Sequence, residues 1–140
     1  MKRVLLIEDN GDLSYDIKNE LAECGYEIKQ ADSYLSACGM WDRYDGKFDC
    51  ILLDLNINPE GLSPEENSSY FPLIGLPFML QIGWNKDFGN DIIVIVYSGY
   101  INEFKETCSK NKISYSNMVL FEKNGMSFSK LIEYIKTNVK

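Results

Sequence analysis

The fold class is decided by one stretch of sequence, Ile92-Ile93-Val94-Ile95-Val96-Tyr97-Ser98-Gly99. Its first five residues are all β-branched, with no alternation of apolar and polar side chains. Such a run is typical of a strand covered on both faces, as the strands of a parallel sheet are. Similar apolar runs stand at 4–7, 48–53 and 118–121, and we predict a strand at each.

The stretches between these runs have the period of helices. Leu13, Ile17 and Leu21 recur four residues apart and precede Gly25, a residue type that is common just after a helix. Further helices are predicted at about 33–41, 73–84, 102–110 and 127–139, and a short strand at 26–31. This alternation predicts an α/β fold, a doubly wound five-stranded parallel sheet flanked by five helices in three α/β/α layers.

One segment breaks the alternation. Residues 56–72 contain three of the four prolines, at positions 59, 64 and 72, and the polar run 65–69. A structureless loop of this length is uncommon inside a compact domain, so the segment is expected to be functional, mobile or partly helical. We predict that residues 1–140 form a single domain with an extended loop at about 56–72.

Charge and composition exclude several classes of function. The 140-residue chain has 14 Lys and Arg against 21 Asp and Glu, a net charge of −7. This charge repels phosphate backbones and anionic lipids, so neither direct nucleic-acid binding nor membrane binding is expected. Since no apolar stretch approaches the ~20 residues that cross a bilayer, we predict a cytoplasmic protein.

The chain contains no histidine, which excludes Ser-His-Asp triads, Cys-His pairs and histidine-based zinc sites. Its cysteines are widely spaced and form no C-x-x-C pair, so free reduced thiols are predicted. They are Cys24, Cys38, Cys50 and Cys108.

Polar side chains stand where the predicted strands end. They are Glu8, Asp9, Asp54, Ser98 and Lys123. Each alone is explained by a buried strand that meets water. In doubly wound sheets, however, ligands bind outside the carboxyl ends of the strands, so the five residues are predicted to form one site.

These side chains suit phosphoryl transfer. Clustered carboxylates attract a hard divalent cation, and oxygen ligands favour Mg²⁺. The ion would leave Asp54 ionised and nucleophilic, while Lys123 and Ser98 bind phosphoryl oxygens. An aspartyl phosphate is the expected product.

Five segments of the chain form one recognisable series. They are Leu5-Leu6-Ile7-Glu8-Asp9-Asn10, Gly25-Tyr26-Glu27-Ile28-Lys29-Gln30-Ala31, Ile51-Leu52-Leu53-Asp54-Leu55, Val96-Tyr97-Ser98-Gly99 and Phe121-Glu122-Lys123. These segments resemble the signatures of bacterial two-component response-regulator receiver domains, which have the flavodoxin-like, CheY-like fold. The resemblance covers essentially the whole chain, and the segments occur in the family's order.

The resemblance implies a phosphoacceptor in phosphorelay signal transduction, not an enzyme, with no output domain in this chain. Asp54 would accept phosphate from a sensor histidine kinase or phosphotransfer protein, and a downstream protein target would read the change. Ser98 and Lys123 would bind the phosphoryl group. Mg²⁺ would be held by Asp9, Asp54 and the backbone carbonyl of Asn56, with Glu8 acting through a water.

The chain departs from the family in two loops. The stretch between Asp54 and Ser98 is longer than the family usually has, and the excess falls in 56–72. Asn124 follows Lys123, where the family has a proline after a cis bond. A cis bond before a non-proline residue costs about 3–4 kcal/mol, so this loop is expected to be trans or mobile.

The last predicted strand departs as well. Leu120 stands where the family has an aromatic switch residue, and Phe121 is expected to face the opposite side of the sheet. These departures keep open a degenerate receiver that binds proteins independently of phosphorylation.

A haloacid-dehalogenase-like phosphatase is a third alternative. It also uses a strand-end aspartate, a hydroxyl, a lysine and an acidic pair. Two features count against it. That family requires a second acid at the position where this chain has Asn56. Its acidic pair also follows the lysine in sequence, whereas Glu8 and Asp9 precede Lys123.

Overall fold

A computed structural model describes residues 1–84 and 91–140 and contains a sheet of five strands. The strands are β1 (Arg3–Ile7), β2 (Glu27–Ala31), β3 (Cys50–Leu53), β4 (Ile93–Ser98) and β5 (Met118–Glu122). They are all parallel, in the order β2-β1-β3-β4-β5. The order reverses at β1, which places the end of β1 beside the end of β3.

Six helices are present in the described residues, whereas five were predicted. They are α1 (Gly11–Glu23), α2 (Tyr34–Arg43), α3 (Pro64–Tyr70), α4 (Gly75–Gln81), α5 (Ile101–Lys110) and α6 (Ser127–Asn138). The additional helix, α3, lies within the predicted loop at 56–72, so the partly helical alternative is correct.

A capping box stabilises the first turn of α3. The Ser63 hydroxyl accepts the Glu66 N–H at 3.1 Å, and the Glu66 carboxylate accepts the Ser63 N–H at 3.0 Å. Pro64 occupies the first turn, where its missing N–H costs nothing. No residue of α3 is buried, so the apolar periodicity that reveals other helices is absent here.

The two faces of the sheet are separated by the strand period of two. In β1, Leu5 and Ile7 join the core cluster beneath α2, α4 and α5. Val4 and Leu6 join the cluster beneath α1 and α6. Each fully buried side chain of this type contributes about 1.5–3 kcal/mol. The predicted three-layer α/β/α architecture is therefore confirmed.

The segment 56–72 is hydrogen-bonded to the start of α2. The N–H groups of Tyr34 and Leu35 donate to the carbonyls of Asn58 and Glu60 at 2.9 and 2.8 Å. Gly61 has a φ of +98°, and a Cβ there would lie 2.8 Å from Leu35 Cβ. Backbone hydrogen bonds thus anchor the segment between Asp54 and α3.

The four cysteines are free. Among the described helices, none has the length and apolar character needed to span a bilayer.

Candidate functional site

Parallel pairing brings the first two site residues together. Ile7 pairs with Leu53, so the next residues, Glu8 and Asp54, leave neighbouring strands at the same edge. Lys123 follows β5 and reaches them across the end of β4. Its Nζ donates to Glu8 Oε1 at 2.7 Å and to Asp54 Oδ2 at 2.9 Å.

Backbone N–H groups hold the remaining carboxylate oxygens. Glu8 Oε2 accepts the N–H of Asn10 at 3.2 Å, and Asp54 Oδ1 accepts the N–H of Asn56 at 3.4 Å. Glu8 is 2% exposed and Asp54 7%. Two buried carboxylates therefore share one ammonium group, which leaves the site with excess negative charge.

The pKa values reflect this imbalance. Burial, and then the charge of Asp54, raise the pKa of Glu8 to about 7 despite its hydrogen bond to Lys123. Burial and Asp54 also raise the pKa of Asp9. Burial opposes the charge of Lys123, but its contacts with Glu8 and Asp54 prevail and raise its pKa. A cation that entered the site would relieve the repulsion among the acids.

The donor set fits Mg²⁺. Glu8, Asp9 and Asp54 each offer a carboxylate oxygen, and these oxygens lie within 4.8 Å of one another. Asp9 is exposed, so an ion could retain waters on that side, as Mg²⁺ usually does. The cleft has a volume of about 310 Å³ and is lined by Glu8, Asp9, Asn10, Asp54, Asn56, Gly99, Tyr100 and Lys123.

Ser98 is placed differently from the other predicted residues. It is the last residue of β4 and fully buried, and its hydroxyl accepts the N–H of Tyr100 at 3.2 Å. Gly99 and Tyr100, rather than Ser98, line the cleft. The structure thus brings Glu8, Asp9, Asp54, Asn56 and Lys123 to one cleft and leaves the Ser98 hydroxyl beside it.

The loop after Lys123 is trans, one of the two expected outcomes. In the described part of the chain the cis peptide bond is Phe71–Pro72. Without a cis bond at Asn124, Lys123 still points at both carboxylates. Leu120 and Phe121 also lie as expected, because Leu120 packs against the α5 side of the sheet and Phe121 against the α6 side.

Asn10 and Gly75 were not predicted as site residues. The Asn10 side chain caps α1 by accepting the N–H groups of Asp12 and Leu13, both at 3.1 Å, so the helix begins immediately after the acidic pair. The Asn-Gly sequence after a strand was a signal for this cap.

Gly75 allows α4 to approach the backbone of Asp54 and Leu55. Its N–H donates to the carbonyl of Leu55 at 2.8 Å. A Cβ at this position would lie 2.8 Å from the Asp54 carbonyl oxygen and 3.2 Å from Leu55 Cα. Both are backbone atoms, so a side chain here would displace the segment that carries Asp54.

We expect Gly75→Ala to lower the free energy of unfolding by about 1–3 kcal/mol, because overpacking against backbone forces a shift. The matched control is Gly39→Ala in α2, where a Cβ meets no atom within 4 Å. That change is expected to raise stability by about 0.5–1 kcal/mol through the helix preference of alanine. Urea denaturation measures both, and equal stability of the two variants would contradict the close approach.

The sequence matches no protein-family model and no curated protein. Solved structures resemble it along nearly its whole length. The response regulator TrrA of Thermotoga maritima, in complex with Mg²⁺-BeF, is 24% identical with a TM-score of 0.63, over 98% of both chains. The HemR receiver domain of Leptospira biflexa is 17% identical with a TM-score of 0.67, over 100% of this chain and 98% of that one.

A third similar structure contains a partner. It is histidine kinase ThkA in complex with TrrA, and the match is 22% identical with a TM-score of 0.61 over 100% of both chains. These likenesses confirm, at the level of fold, the resemblance carried by the strand-end segments. The five-stranded parallel sheet with its flanking helices therefore has the CheY-like fold of response-regulator receiver domains.

Proposed function

We propose that residues 1–140 form a receiver domain that acts as a phosphoacceptor in two-component phosphorelay signalling, with Asp54 as the acceptor. One observation carries the proposal. A buried aspartate directly after β3 is hydrogen-bonded to the lysine that follows β5 and lies beside two further carboxylates in an open cleft. That arrangement supplies a nucleophile, a cation for the transferred group and a metal position.

Asp9 and Asp54 would hold Mg²⁺ directly, together with the backbone carbonyl of Asn56. When bound, the ion supplies positive charge that neutralises the incoming phosphoryl group. The exposure of Asp9 and the lining position of Asn56 support this assignment. Glu8, which is hydrogen-bonded to Lys123, would act through a water.

In the reaction, an oxygen of Asp54 attacks the phosphorus of a phosphohistidine on a sensor kinase or phosphotransfer protein. The P–N bond breaks, the imidazole retains the electron pair, and an acyl phosphate forms on Asp54. Lys123 would stabilise the oxygens of the transferred group, since its ammonium already contacts Asp54. The Ser98 hydroxyl, which accepts the N–H of Tyr100, would donate its own proton in a hydrogen bond to a phosphoryl oxygen.

The chain would thus transfer a signal and not turn over a substrate. A phosphorylated Asp54 would alter the cleft, and a downstream protein would sense that change in the cytoplasm. The complex of ThkA with TrrA supports a kinase as a partner. The net charge of −7 favours a protein target over nucleic acid or membrane.

Uptake of phosphate tests the proposal. Incubation with acetyl phosphate and Mg²⁺ is expected to add one phosphoryl group per chain, detected by intact mass spectrometry. Chelation of Mg²⁺ by EDTA is expected to reduce the rate by at least tenfold, because the acidic cluster then repels the donor. Unlabelled protein, or labelling at the same rate in EDTA, would overturn the proposal.

A second candidate is a receiver that binds its partner independently of phosphorylation. Leu120 favours it, because an aliphatic side chain packs on the α5 side where the resemblance implies an aromatic switch. A partner complex of equal affinity before and after phosphate uptake would support this reading. No observation favours the phosphatase alternative, because Asn56 lines the cleft at the position where that family requires a second acid.

A further inference from the structure

The loop that carries Lys123 is closed by hydrogen bonds to Ser127. The Ser127 hydroxyl accepts the N–H of Asn124 at 3.0 Å and lies 3.0 Å from the Asn124 carbonyl. The Ser127 N–H donates to the same carbonyl at 3.2 Å. The Asn124 side chain in turn accepts the N–H of Met126 at 3.0 Å. This turn follows Lys123 directly and leads into α6.

Tyr97 contacts this loop from the sheet. It is the residue before Ser98 in β4 and is 5% exposed, on the face covered by α1 and α6. Its hydroxyl is hydrogen-bonded to the Ser127 hydroxyl at 3.2 Å, and this contact is buried. Its ring centroid lies 5.7 Å from Lys123 Nζ, within the range of a cation–π interaction.

One tyrosine therefore contacts both ends of the loop, the ring at Lys123 and the hydroxyl at Ser127. The proton count is consistent with this network. The Ser127 hydroxyl has one proton, which it can donate to the Tyr97 hydroxyl at 3.2 Å or to the Asn124 carbonyl at 3.0 Å. The start of the loop is held separately, because the Lys123 N–H donates to the Ser98 carbonyl at 3.0 Å.

We propose that Tyr97, acting through Ser127, is a positioning residue that holds the Lys123 ammonium against Glu8 and Asp54. The role of this position in phosphoryl transfer rests on the proposed function, whereas the positioning itself rests on the contacts. A tyrosine that merely fills the core would need only its ring. The buried hydroxyl contact and the trans bond at Asn124 indicate that hydrogen bonds define this loop.

Two variants separate the role of the Tyr97 hydroxyl from that of its ring. Tyr97→Phe removes the hydroxyl and keeps the ring, and Ser127→Ala removes the hydroxyl at the other side of the contact. The matched control is Tyr26→Phe. The Tyr26 hydroxyl donates to the Val139 carbonyl at 2.6 Å and lies 3.2 Å from the Ile135 carbonyl, at the opposite end of α6. The control therefore loses a hydroxyl contact to the same helix, far from Lys123.

The first measurement is the hydrogen exchange rate of the Lys123 ammonium, followed by NMR in protein labelled with ¹⁵N-lysine. The signal is assigned by its loss in Lys123→Ala. Exchange is expected to accelerate roughly threefold to tenfold in Tyr97→Phe and Ser127→Ala, as for the loss of one hydrogen bond, and to stay unchanged in Tyr26→Phe. The double variant is expected to match Ser127→Ala, because both changes break one network.

The second measurement is the initial rate of phosphate uptake from acetyl phosphate, which is expected to fall by a similar factor in both variants. Exchange that is unchanged in both variants, or equally accelerated in Tyr26→Phe, would overturn the positioning role. Faster exchange in the two variants, together with no phosphate uptake by the wild type, would support the positioning and overturn the proposed function. The two ideas can therefore fail separately.

Discussion

Replacing Asp54 by Asn is expected to abolish phosphate uptake from acetyl phosphate in the presence of Mg²⁺. The amide has nearly the shape of the carboxylate, so the buried position after β3 stays filled. It has no anionic oxygen to attack phosphorus, and it removes one of the three carboxylates of the cluster. Intact mass spectrometry of wild type and variant under identical conditions measures the effect.

The matched control for this experiment is Asp32→Asn. Asp32 is exposed, and its charge acts on Asp9, so this change removes one negative charge near the same rim. An asparagine there can still accept the Ser36 hydroxyl, which lies 3.3 Å from Asp32 Oδ1. The control is expected to be labelled like wild type. If Asp54→Asn were labelled equally, another residue would be the acceptor.

Replacing Lys123 by Ala is expected to lower the free energy of unfolding of the metal-free protein by about 2–4 kcal/mol at neutral pH. The change leaves Glu8 and Asp54 buried side by side without their shared ammonium. Removing one partner of a buried ion pair is costly because the remaining charge is uncompensated. Urea denaturation in EDTA measures the loss, and Lys130→Ala, an exposed position on α6, is the control.

Magnesium and pH are expected to reverse part of this loss. Added Mg²⁺ stabilises the folded state by mass action, and more strongly in Lys123→Ala, where no ammonium competes for the carboxylates.

Between pH 4.5 and 7, folded Glu8 binds a proton that the unfolded chain has released, because its folded pKa is about 7. This group therefore makes the metal-free protein more stable as the pH falls through that range. A loss that neither Mg²⁺ nor acid reduces would contradict the shared-ammonium geometry.

Much of the fold was accessible from local patterns. The β-branched run at Ile92–Val96 and the similar runs before Glu8 and Asp54 predict strands, because short continuous apolar runs are typical of strands buried on both faces. Once the strands are parallel, their carboxyl ends share an edge, and this alone predicts that the acids and the lysine meet. The helix α3 escaped this reasoning, since capping and not burial stabilises it.

The amino-acid sequence by itself determined the layers, the edge at which the site lies and the residue types gathered there, because apolar periodicity and chain direction are local properties. The tertiary structure alone decided which oxygens Lys123 contacts, that the Ser98 hydroxyl faces Tyr100, and that Tyr97 reaches Ser127. These contacts join residues from different strands and loops. Their distances depend on strand order, register and side-chain rotamers together, which no local stretch of sequence encodes.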